Sequence, residues 1–119
     1  MASFKVPLKI DQGATFQKVV TWKSGNPAAP VDLTGCTARA QIRTTVTSPD
    51  VLHEMTSSPG GGITIDDVLG EVTIDIDAAT TAGFTWKTAV YDLEIVFAGG
   101  NVRRLLHGPV SVSPEVTRD

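Results

Sequence analysis

The sequence predicts an all-β domain, a sandwich or barrel of about eight short strands with one short helical turn. Three observations carry this. Several segments alternate apolar and polar residues with a period of two, the signature of half-buried strands. Eleven glycines and seven prolines punctuate the chain between those segments. Only residues 78–86 have a helix-compatible pattern.

The elements follow in chain order. "FKVPLKI" (4–10) alternates but is interrupted by Pro7, which marks an edge strand or a bulge because proline offers no N–H to a ladder. Asp11-Gln12-Gly13 is a turn, and "ATFQKVVTW" (14–22) reads as a strand rich in β-branched and aromatic residues. "KSGNPAAP" (23–30) is a loop. In "PVDLTGCTARAQIRTTV" (30–46), Cys36, Ala38, Ala40 and Ile42 point inward while Thr37, Arg39, Gln41 and Arg43 point out. Ser48-Pro49-Asp50 turns into the hairpin partner "VLHEMT" (51–56), and "SSPGGG" (57–62) is a flexible connection.

"ITIDD" (63–67) and "EVTIDIDA" (71–78) flank Val68-Leu69-Gly70, with Val72, Ile74 and Ile76 inward. One helical turn ends near Gly83. "TAVYDLEIVFA" (88–98) turns Ala89, Tyr91, Leu93, Ile95 and Phe97 to one face. Gly99-Gly100-Asn101 is a hairpin turn, and "VRRLLHGPVSVS" (102–113) is its return strand, with Pro109 at a bulge or an edge. Trp22 and Trp86 are expected in the core.

The expected organisation is a single domain over 1–119, with 1–10 as an N-terminal edge strand or arm and 114–119 as a polar tail. The net charge of −3 gives no basic field, so nucleic acid is not an expected partner. No apolar run approaches the ~18 residues of a membrane span, and no signal segment is visible at the start, so a membrane is not expected either. Cys36 is the single cysteine, which rules out an intrachain disulfide.

Catalytic equipment is sparse. Cys36 lies on an inward face with neither His53 nor His107 near it in sequence, and reads as a small buried hydrophobe. No phosphate loop, nucleophile elbow or zinc-protease motif occurs. Asp66-Asp67 sits at a strand end, and Glu71, Asp75 and Asp77 share an outward face. Carboxylates spaced along one strand stand about 7 Å apart, too far for several to enclose one calcium ion. Asp75, Asp92 and Glu94 offer carboxylates for glycoside hydrolysis, but nothing places a cleft between them. The expectation is no enzyme, no cofactor and no metal. The basic residues gather as Arg39 with Arg43 and as Arg103 with Arg104. Cross-strand pairs with Asp92 and Glu94 are their default role, and an intersubunit contact is the alternative.

Four stretches read together resemble a family: "DQGATFQKVVTWKSGNPAAPVDLTGCTARAQIR", "GGITID", "GEVTIDID" and "TWKTAVYDLEIVFAGGNVRRLLHGPVSVSPEVTR". They resemble small virion proteins, usually called tail proteins, encoded by tailed bacteriophages and prophages. A looser resemblance, through Pro30–Gly35, Cys36–Arg43, Gly70–Ile76 and Tyr91–Glu94, is to the immunoglobulin-like N-terminal domain of a phage upper-baseplate protein. This chain stops at Asp119, where the baseplate protein continues into further domains. The resemblance implies an immunoglobulin-like antiparallel β-sandwich of about seven or eight strands. It also implies a structural role in the virion, made in the host cytoplasm, with other virion proteins and copies of itself as partners. Tail, baseplate or fibre attachment is the first expectation; a capsid decoration protein and a glycan-binding module are the alternatives. Arg39, Arg43, Arg103, Arg104 and the Pro7 edge are the candidate interface.

Overall fold

A computed structural model describes residues 3–117, so the expectations for Met1, Ala2, Arg118 and Asp119 lie outside the described residues. The fold is all-β. Eleven strand segments and one short helix occur among the described residues: β1 (Phe4–Lys5), β2 (Leu8–Asp11), β3 (Phe16–Thr21), β4 (Lys23–Ser24), β5 (Ala29–Pro30), β6 (Thr37–Arg43), β7 (Val51–Thr56), β8 (Ile63–Asp66), β9 (Glu71–Ile76), α1 (Ala78–Ala82), β10 (Thr88–Val96) and β11 (Val102–Ser113).

The larger sheet runs β1-β11-β10-β6-β7, with β2 also on β11; the smaller runs β3-β9-β8. The core lies between them. Ala38, Ala40 and Ile42 from β6 and Ala89, Tyr91, Leu93 and Ile95 from β10 share one buried cluster with Val72, Ile74 and Ile76 from β9. These are the inward residues that alternation predicts. Cys36 is half-buried and lies just before β6. Trp22 is buried against the edge of Phe97, with ring centroids 6.1 Å apart, whereas Trp86 is only partly covered.

Residues 23–30, expected as a plain loop, contain the small β4–β5 hairpin, which turns through a cis Asn26–Pro27 peptide. Pro109 marks no bulge. It pairs in register with Val90, and the register shift falls instead between Leu93 and Glu94, leaving Leu105 as the extra residue on β11. The parallel pairing explains both prolines. Lys5 faces His107 and Leu8 faces Val110, so the same offset sets Pro7 opposite Pro109. Neither residue has an N–H to give, and the ladder is broken there, between β1 and β2.

Candidate functional site

The outer face of the larger sheet is set by register. Asp92 on β10 faces Gln41 on one side and His107 on the other, and Gln41 faces Glu54. Two residues along, Glu94 faces Arg39 and Arg104, and Arg39 faces Thr56. Two cross-strand rows result: Glu54–Gln41–Asp92–His107 and Thr56–Arg39–Glu94–Arg104. A groove of about 590 Å³ is lined by these residues other than Thr56, and by Arg43, Thr45, Val46 and Val90 among others.

The bulge makes this arrangement. Val96 pairs with Val102 and Glu94 with Arg104, so an unbroken antiparallel register would carry Leu106 opposite Asp92. The extra Leu105 shifts the register by one, which turns Leu106 inward and His107 outward. Leu105 and Leu106 are both buried as a result.

The side chains form a network. Arg39 Nε donates to Glu94 Oε1 at 2.8 Å. Gln41 Nε2 donates to Glu54 Oε2 at 2.8 Å. Arg43 donates through Nη2 to Gln41 Oε1 and through Nη1 to the Ser48 carbonyl, both at 2.7 Å. The second contact ties the β6–β7 loop to the groove wall. Asp92, on the groove floor, is half-buried. Burial and the adjacent Glu94 push its carboxyl above the ordinary value, and Arg104, His107 and Arg43 only partly offset this.

Arg39, Arg43 and Arg104 therefore meet in one groove, as their outward phase predicts. Arg103 does not join them: it pairs with Ile95, whose side chain is buried in the core, and is itself exposed. Pro7 is exposed at the sheet margin, next to Val6, whose carbonyl accepts from the Tyr91 hydroxyl at 2.7 Å. Gly108 lets the two strands approach, since a Cβ there would stand 2.9 Å from the Val6 carbonyl oxygen. Glu54, Gln41 and His107 belong to the groove but were not singled out by sequence. Alternation gives the outward phase of Glu54 and Gln41; the phase of His107 depends on a bulge that no glycine or proline marks.

Ser3 Oγ lies 2.6 Å from His107 Nδ1, and His107 faces Asp92 across the strands. The row has the chemical order of nucleophile, base and acid. No hydrogen bond joins Asp92 to the ring, however, so the contact that would orient an imidazole for proton transfer is missing, and the serine bond works as a tether for the N-terminal strand.

A second depression, of about 690 Å³, is lined by Cys36, Ser57, Ile63, Asp75 and Asp77 among others. Burial, with a smaller effect of Asp32, pushes the Cys36 thiol above its ordinary value and leaves it protonated at neutral pH. Among the described residues, no three His, Cys, Asp or Glu side chains come together as metal ligands, and no helix is long and apolar enough to cross a membrane. Comparison with protein-family models and with curated proteins found no match to the chain.

Proposed function

We propose that the chain is a structural protein of a tailed-bacteriophage particle, a tail, baseplate or fibre-attachment component, and that it works by binding other virion proteins. In this reading the two sheets form an immunoglobulin-like sandwich, and the outer face of the larger sheet is the contact surface. The observation that carries the reading is the groove: two rows of charged and polar side chains held in register across β7, β6, β10 and β11, with no other part of the described chain over them. Ordered, charge-balanced surfaces of this kind favour one protein partner over others more than they add raw affinity. The resemblance adds to it, because "GEVTIDID" and "YDLE" fall on β9 and β10, the central strands of the two sheets.

Copy number in purified particles tests the reading. Quantitative mass spectrometry against the portal and major capsid proteins should give a small multiple of the portal count, as closed rotational symmetry requires. A count near that of the capsid protein moves the chain to the capsid surface. Absence from the particle overturns the reading.

A further inference from the structure

Three carboxylates line the groove, and two have donors in place: Glu54 accepts from Gln41 and Glu94 accepts from Arg39. Asp92, half-buried on the central strand, makes no hydrogen bond or close ion pair through its side chain among the described residues. The Arg104 side chain, one strand over and one row along, makes none either. Arg43 cannot easily supply Asp92, because its guanidinium is engaged by Ser48 and Gln41. A half-buried carboxylate without a donor is the costly member of such a network.

The groove thus holds one carboxylate and one guanidinium with no hydrogen-bond partner among the described residues, on rows about 7 Å apart along the strand. Residues i and i+2 of an extended segment have that same spacing on one side. The lining carries three arginines and three carboxylates, so a ligand of a single sign gains at one row and loses at the other.

We propose that the groove seats an extended segment of a partner protein bearing a basic residue and, two positions along, an acidic one. The basic side chain pairs with Asp92 and the acidic one with Arg104. That the occupant is a protein segment rests on the assembly reading above; the charge pattern rests on the groove alone.

The test is an NMR titration of the full chain with three capped peptides: acetyl-Lys-Thr-Glu-amide, acetyl-Lys-Thr-Lys-amide and acetyl-Glu-Thr-Glu-amide. The mixed-charge peptide should shift the amides of residues 90–94 and 103–108 saturably, and the single-sign peptides should do so much more weakly. Asp92→Asn and Arg104→Gln should each weaken binding by about tenfold, through loss of one partly solvated charge pair. Melting curves confirm that both variants fold. Equal or tighter binding of either single-sign peptide overturns the proposal, as does no saturable shift with any peptide or unchanged affinity in Asp92→Asn. The two readings fail separately. Peptide binding by a chain absent from particles sinks only the assembly reading, and a particle component that ignores all three peptides sinks only this one.

Discussion

Asp92 and His53 are both half-buried titratable residues, and burial penalises the charge on each. At Asp92 the groove stays open to solvent, so a ligand can correct the penalty. At His53 it cannot. The ring faces inward from β7 in register with Ile42 and packs edge-on against Phe84, 5.6 Å between centroids, with Phe84 tilted over Trp86 at 4.8 Å. Burial holds its pKa below the ordinary 6.5, against a weaker upward pull from Asp77. The unfolded chain then takes up a proton before the folded one does. Stability contributed by the neutral ring is complete above pH 6.5 and is lost as pH falls from there through the lower folded value. The melting temperature should therefore drop between pH 7.5 and 5 more steeply in the wild type than in His53→Phe, which keeps a ring against Phe84. Parallel pH profiles would show that His53 is not the titrating group. Elsewhere, the Arg39–Glu94 bridge is solvent-exposed enough that its loss should cost less than about 1 kcal/mol; its role is to hold the groove wall.

The strands β6, β9 and β10 were legible because their buried faces follow a strict period of two, and the structure buries the residues that this pattern turns inward. The short helix was legible from its length and from Gly83, and Asp77 caps it by accepting from the Thr80 N–H at 2.8 Å. β11 was not fully legible. A bulge changes which residue faces which without any residue type that requires it, so the pairing of His107 with Asp92 was beyond a pattern argument. The same is true of the parallel N-terminal strand, since parallel partners are joined by distant chain rather than by a turn. Two predictions belong here. Deleting Leu105 would remove the bulge while keeping Leu106 opposite Leu93 and His107 opposite Asp92; the variant should still unfold cooperatively, at a lower temperature for the loss of one buried leucine, and loss of the cooperative transition would refute the assigned register. Tyr91→Phe leaves the Val6 carbonyl without its donor and should cost about 1 kcal/mol in chemical denaturation, with hydrogen exchange rising first in β1 and β2. No loss of stability would mean that the bond does not hold the N-terminal strand.

At the scale of the molecule, the two sheets are linked at both margins. β2 passes into β3 through the turn where Ala14 N–H donates to the Asp11 carbonyl, and β7 approaches β8 through the Thr56–Gly62 bridge. The core between the sheets is fully closed at Leu93 and Ile74, and Leu93→Ala should cost about 2–5 kcal/mol by leaving a cavity. In the proposed reading, the outer face of the larger sheet is where the fold presents ordered side chains to a partner. The measurement that tests this most directly is carbodiimide labelling of carboxylates in the free chain and in purified particles. Glu54, Asp92 and Glu94 should react in the free chain and be protected in the particle, while Glu71 and Asp75 on the smaller sheet keep their reactivity. Protection of Glu71 and Asp75 with the groove carboxylates unchanged would contradict it, and would place the contact on the opposite sheet.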